Sequence, residues 1–180
     1  MAYDNLFNEI VNDPEKSKLA QDAQELHERF TSPGHPQQLR DMLVQAEALA
    51  CIAHDEQFRR DGVTPYIEHP KAVAAHFPND PYAAAVAWLH DVVEDTYVTF
   101  KHIRDAGMPI NVVCALGAIT KIAGEDYNEY LERVLADPIA RRVKFVDMLC
   151  NLADNPTEKQ RLKYTKALAR FLPLIGDTRD

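Results

Sequence analysis

His90 and Asp91 stand at the end of the most apolar stretch of the chain, Ala83-Ala84-Ala85-Val86-Ala87-Trp88-Leu89, and Glu94 and Asp95 follow at once. The run is apolar on every side and reads as a helix buried all round. An imidazole and three carboxylates at the mouth of such a helix are costly to strip of water unless something pairs them. A bound metal ion is the simplest partner. The stretch points to a metal-dependent hydrolase.

Two further residues complete a ligand set. His69 lies in Pro65-Tyr66-Ile67-Glu68-His69-Pro70, and Asp147 lies in the apolar run Lys144-Phe145-Val146-Asp147-Met148-Leu149. Two imidazoles with two carboxylates suit Mn²⁺, Fe²⁺ or Zn²⁺ better than a thiolate-preferring metal. Four protein ligands leave room on a six-coordinate ion for water and a substrate oxygen. If the helix runs on past His90, Glu94 and Asp95 come to the ligand face, four residues after His90 and Asp91. A carboxylate beside a metal-bound water is placed to take its proton. Plainer readings exist for each residue taken singly. Asp147 could pair with Lys144 one turn back, His69 could be a turn residue before Pro70, and Glu94 and Asp95 could open a loop. The tight clustering favours the metal reading.

Arg59 and Arg60 either close a helix as cations at its C-terminus or hold phosphate and stack on a base. Asn151, one turn after Asp147, either binds a nucleotide or is a polar residue near a helix end. Lys121 reads equally as a capping cation. His54 reads as a core residue or a support for the ligands rather than a ligand. His27, His35, His76 and His102 read as surface or packing residues.

In this order the motifs resemble the HD-domain metal-dependent phosphohydrolases. Within them they resemble the (p)ppGpp hydrolase domain of RelA/SpoT-type enzymes and the small alarmone hydrolases. The matching pieces are His54-x-x-Gln57-Phe58-Arg59-Arg60, Gly62, Pro65-Tyr66-Ile67-Glu68-His69-Pro70, Leu89-His90-Asp91-Val92-Val93-Glu94-Asp95-Thr96, Ile119-Thr120-Lys121, and Val143-Lys144-Phe145-Val146-Asp147 with Asn151. They cover residues 40–155. The resemblance implies that His69, His90, Asp91 and Asp147 bind one metal, typically Mn²⁺. Glu94 and Asp95 would orient and deprotonate the attacking water. Arg59 and Arg60 would hold base and phosphates, with Asn151 on the nucleotide. The implied reaction removes the 3′-pyrophosphate of (p)ppGpp, releasing GDP or GTP and pyrophosphate. The chain departs from the bifunctional enzymes at Met148, where they carry a basic residue, and at Cys150, where they carry a histidine. Both changes bear on the nucleotide side.

These residues need a helical scaffold. Asp13-Pro14, Asp80-Pro81, Asp137-Pro138 and Asn155-Pro156 each put an N-cap residue before a proline at the first helical position. Between them the apolar spacing is helical, as in Leu39, Leu43, Ala46 and Ala50. No alternating strand stands out. The expectation is an all-α HD-domain bundle of about nine helices, over 14–30, 36–60, 70–77, 81–92, 100–106, 109–119, 126–136, 138–153 and 156–171. Residues 61–66 and 93–99 are the expected loops near the chemistry. The whole chain, 1–180, reads as a single hydrolase domain: an N-terminal helical arm (1–35), a metal-site core (36–155) and a C-terminal helix (156–180).

Composition narrows the partners. The chain has 180 residues, 46% of them hydrophobic and 27% charged, which suits one soluble domain with a full core. A net charge of −8 and a pI near 5.3 argue against a nucleic-acid binder. An anionic small nucleotide must then be drawn by a local metal and a few cations. Three scattered cysteines suggest reduced thiols in the cytoplasm. Neither a membrane span nor a signal peptide is read. The length leaves no room for a synthetase domain, so a hydrolase-only protein is expected, and the N-terminal arm leaves an oligomer open. Two rival functions share the motifs. One is an HD phosphohydrolase acting on another small nucleotide, such as the 2′-phosphate of NADPH. The other is a non-catalytic nucleotide-sensing module, which would have no need of both Glu94 and Asp95.

Overall fold

Aspartates before prolines start the helices that matter most. In the computed structural model, which describes residues 36–175, the Asp80 side chain accepts the Ala83 N–H at 3.0 Å, and Asp137 accepts those of Ile139 and Ala140 at 2.9 and 2.8 Å. Each satisfies amide groups that the first helical turn leaves without partners.

Nine helices follow in order among the described residues: α1 Pro36–Ala53, α2 Glu68–Ala74, α3 Pro81–Leu89, α4 Val92–Asp95, α5 Phe100–Asp105, α6 Ile110–Ile119, α7 Tyr127–Ala136, α8 Pro138–Ala153 and α9 Glu158–Ile175. No strand occurs among these residues, only an isolated antiparallel bridge between Phe58 and Pro65. The expected all-α class holds. The arm at 1–35, with its helix 14–30, lies outside the described residues.

Helix α3 is the centre. Ala83 to Ala87 and Leu89 are all buried, as an all-round apolar helix requires. It packs against α2, α6 and α8, and α2 also touches α8. These three mutually packed helices carry His69, lead into His90-Asp91, and carry Asp147. Packing that buries the core therefore also brings the candidate ligands together. Leu89, Ile103, Leu116, Leu131 and Phe171 are among the fully buried side chains. Cutting one such leucine back to alanine typically costs about 2–5 kcal/mol. Helix α1 adds one face, Met42, Ala46, Ala50 and Ala53, to the same core.

Several expected spans change. The helix expected over 36–60 stops at Ala53, because the polar run after it turns, with Glu56 at φ +61°. The helix expected over 70–77 begins at Glu68 and ends at Ala74. Pro70 is tolerated because it lies in the first turn, where its missing N–H is not needed. The helix expected over 81–92 ends at Leu89, and Val92–Asp95 form a separate short helix that runs into the expected loop 93–99. Helix α9 starts at Glu158 rather than at Pro156, and Asn155 takes φ +42°. The cap there belongs to Thr157, whose hydroxyl accepts the Gln160 N–H at 3.2 Å while Gln160 Oε1 accepts the Thr157 N–H at 3.0 Å.

Candidate metal centre

His90 enters the site at the end of α3 with one ring nitrogen already committed. Its Nδ1 lies 2.7 Å from the Ala87 carbonyl, which can only accept, so Nδ1 carries the proton. Nε2 is the nitrogen that faces the carboxylates. It is buried and makes no hydrogen bond, although Asp91 Oδ2 lies 3.2 Å away and Asp147 Oδ1 3.5 Å away. A buried imidazole nitrogen without a hydrogen bond is an anomaly in a folded protein. A metal ion among these candidate ligands would remove it, and a backbone carbonyl fixing the other nitrogen is the usual support for a metal-bound histidine.

His69 and Asp147 close the group. His69 Nε2 lies 2.9 Å from Asp147 Oδ1 and 3.8 Å from Asp91 Oδ2. One ligand atom each from His69, His90 and Asp91 fits within 4.8 Å. The two imidazoles stand edge to face, with centroids 5.3 Å apart. This donor set suits a divalent metal ion. The plainer reading of Asp147 is met, since its Oδ2 pairs with Lys144 Nζ at 2.7 Å. The other oxygen, Oδ1, faces the two histidines and also accepts from Asn151. Burial opposes charge on Asp147, but Lys144 and the two histidines outweigh it and hold the carboxyl well below the usual range.

A supporting layer orients these groups. The Tyr66 hydroxyl donates to Asp91 Oδ2 at 2.6 Å and lies 3.3 Å from Asp95 Oδ2. Burial and the Asp91 charge push the Tyr66 phenol far above its ordinary value, so it stays a donor. His54 stacks on Tyr66 with centroids 4.7 Å apart and pairs with Gln57 at 2.8 Å. It touches Tyr66 rather than the candidate ligands themselves. Asn151 donates to Asp147 Oδ1 at 2.6 Å.

The two candidate acids part company. Glu94 lines a cavity of about 200 Å³ over the ligands, and its Oε2 accepts the Lys121 N–H at 3.0 Å. Asp95 lies behind Tyr66 and lines neither this cavity nor its neighbour. Burial, Asp91 and Glu94 raise its carboxyl above the ordinary range.

The arginines lie to the other side. Arg59 pairs with Asp154 at 2.5 Å and crosses the Tyr66 ring at 5.6 Å. It lines a second cavity of about 200 Å³, bounded also by His69 and Cys150. Arg60 lines neither cavity. It reaches the Asn155 carbonyl and Gln160 at 3.5 and 2.9 Å. Met148 is fully buried in the core, so its difference from the bifunctional enzymes does not reach either cavity, whereas Cys150 does. Four residues escaped the sequence reading as site residues: Tyr127, Tyr130, Lys163 and Tyr164 also line the cavity over the candidate ligands. The last two lie on α9, beyond the matching motifs.

No family model matches the chain. Three curated relatives carry the name guanosine-3′,5′-bis(diphosphate) 3′-pyrophosphohydrolase. The Aquifex aeolicus protein is 32% identical over 129 residues, 66% of this chain and 18% of the relative. The Haemophilus influenzae protein is 46% identical over 60 residues, 32% of this chain and 9% of the relative. The Xenopus tropicalis protein is 38% identical over 69 residues, 35% of this chain and 38% of the relative. The chain thus spans well under two thirds of the relatives it matches. A solved structure described as a metazoan ortholog of SpoT that hydrolyzes ppGpp superposes with a TM-score of 0.62 at 24% identity, over 73% of this chain and 85% of that one. The two share their fold.

Proposed function

We propose that this chain is a single-domain, metal-dependent hydrolase of the HD type. It removes the 3′-pyrophosphate of guanosine 3′,5′-bis(diphosphate), with Mn²⁺ held by His69, His90, Asp91 and Asp147. The observation that carries the reading is the buried His90 Nε2, without a hydrogen bond between two carboxylates and beside a second imidazole. The names of the relatives support the choice of substrate. The acidic chain favours a free small nucleotide, not a nucleic acid, as partner. Among the described residues no helix is long and apolar enough to cross a membrane, and a cytoplasmic site of action is part of the proposal.

When bound, the ion polarises a phosphate oxygen and lowers the pKa of a water. Glu94, at the cavity edge, takes a proton from the water. The water oxygen bonds to the phosphorus next to the ribose 3′ oxygen, and the bond between that phosphorus and the 3′ oxygen breaks. The 3′ oxygen takes up a proton, and GDP and pyrophosphate leave. Asp95 holds Tyr66, which in turn holds Asp91. Asn151 keeps Asp147 turned to the histidines. Arg59 stands at the neighbouring cavity for the base or the 5′ phosphates, and Arg60 steadies the start of α9.

The test is incubation of purified protein and Mn²⁺ with ppGpp, against an EDTA-treated control and the variants His90→Ala and Asp91→Ala. Metal-dependent release of GDP and pyrophosphate, with both variants losing the ion, is the expected result. Release of the 2′-phosphate of NADPH by metal-loaded protein that leaves ppGpp intact would overturn the substrate. Loss of all turnover on every nucleotide, with the metal bound, would favour the sensing module.

A further inference from the structure

The cavity over the candidate ligands has a wall that the proposed metal chemistry does not use. Lys121, Lys144 and Lys163 converge on it from the loop after α6, from α8 and from α9. Lys144 is committed to Asp147 at 2.7 Å. Lys121 is engaged through its backbone N–H to Glu94, and among the described residues its ammonium has no carboxylate partner. Lys163 has none there either. Its Nζ lies 4.3 Å from the centroid of the Tyr127 ring and 5.7 Å from that of Tyr164. Cation–π contacts account for the place of Lys163 and, with the Asp147 pair, for that of Lys144, whose Nζ lies 5.8 Å from the Tyr130 ring centroid, but none among the described residues involves Lys121. Burial, Lys144 and Lys121 together push the Lys163 amine below its ordinary range, as expected where like charges are gathered.

The charges point to the occupant. Three lysines face three carboxylates, Asp91, Glu94 and Asp147, in this cavity. The wall is neutral as it stands, and a divalent ion on the ligands makes it carry two positive charges. That is unusual in a chain of net charge −8. A phosphate monoester placed at the ligands would be met by the ion and Lys144. Two further free ammonium groups match a second phosphate beyond the first.

We propose that Lys121 and Lys163 bind the distal phosphate of the released pyrophosphate, and so select a 3′-diphosphate over a monophosphate at the cleaved position. This rests on the hydrolase reading, and it bears directly on the choice between ppGpp and the 2′-monophosphate of NADPH.

The probe is inorganic pyrophosphate, compared with orthophosphate. Both are titrated by calorimetry into Mn²⁺-loaded protein with the ion in excess, and again into EDTA-treated protein. The wild type should bind pyrophosphate more tightly than orthophosphate under both conditions. Lys121→Gln and Lys163→Gln should each lose about tenfold in pyrophosphate affinity, as for a hydrogen bond between charged groups. Orthophosphate binding and metal content should hardly change, and Lys163→Arg should restore most of the loss. Lys163 is exposed on its helix, so its variants should fold. Equal affinity for the two anions in the wild type, or unchanged pyrophosphate binding in the double variant, would overturn the proposal. Failure to cleave ppGpp with the anion preference and its lysine dependence intact would count against the reaction while supporting the lysine site.

Discussion

Tyr66 and Asp91 are tied by a 2.6 Å hydrogen bond between a phenol and a carboxylate oxygen that also faces His90. The bond joins the loop before α2 to the junction between α3 and α4, and fixes which way the carboxylate points. His54 packs against the Tyr66 ring, tilted by 33° with centroids 4.7 Å apart, and helps keep the phenol in place.

Tyr66→Phe should therefore keep the fold and loosen the metal. Loss of an outer hydrogen bond to a metal ligand typically costs about 10–100-fold in affinity. Titration of the EDTA-treated variant with Mn²⁺, followed by calorimetry, checks this. Wild-type affinity in the variant would mean that the bond orients nothing the ion needs.

Glu94→Gln separates proton transfer from assembly. The amide keeps the shape and can still accept the Lys121 N–H, but it cannot take a proton from water. Turnover should fall by about 10²–10⁴, the usual worth of a general base, while bound metal stays at the wild-type level. Asp95→Asn should act differently, because the Asp95 carboxylate accepts from Tyr66, which holds Asp91. Its effect should appear in metal affinity as well as in turnover. Equal metal retention and equal turnover loss in the two variants would contradict this division of roles.

The cluster of candidate ligands was legible because burial makes it so. A histidine and an aspartate at the end of Ala83–Leu89, and an aspartate inside an apolar helix, need a reason in any sequence. The loops of the site were less so. The break after Leu89 leaves no proline or glycine to announce it. The carboxylate that holds Arg59 belongs to Asp154, 95 residues away, and no local pattern reveals such a pair. Lys163 and Tyr164 sit on a helix whose own pattern is ordinarily amphipathic, and only the packing of α9 on α8 brings them to the cavity. The start of α9 could have been found. Thr157 and Gln160 have the spacing of a capping box, a stronger signal than the Asn155-Pro156 pair before it.

Asp61 gives a pH-dependent handle on the loop that carries Arg59. The Thr64 hydroxyl and the N–H groups of Val63 and Thr64 all donate to its carboxylate and lower its pKa from 3.8 to about 2. The depressed value means that the turn gains support above the ordinary aspartate range and loses it as pH falls from 3.8 through about 2. Thr64→Val removes the largest cause, so the Asp61 value should move up toward 3.8. Carboxyl NMR titration of both proteins measures it. An unchanged value would show that the hydroxyl does not hold the turn.

Arg133 is expected to act on the chemistry from a distance. Its guanidinium donates to the carbonyls of Gly117, Ala118 and Thr120 and forks onto Glu125, with a closest approach to that carboxylate of 2.7 Å. Gly117 and Ala118 belong to the last turn of α6, where carbonyls have no partner within the helix. The same grip fixes the loop through Lys121, whose N–H holds Glu94 at 3.0 Å. Arg133→Ala strands these half-buried acceptors and should cost about 2–4 kcal/mol in chemical denaturation. Turnover should fall further than the folded fraction explains, with metal content unchanged, because Glu94 loses its tether. Arg133→Lys keeps the charge but not the planar fork, so it should fall between the two. An alanine variant that is destabilised yet turns over normally once folded would confine Arg133 to the scaffold. One with wild-type stability would show that water replaces the guanidinium on all three carbonyls.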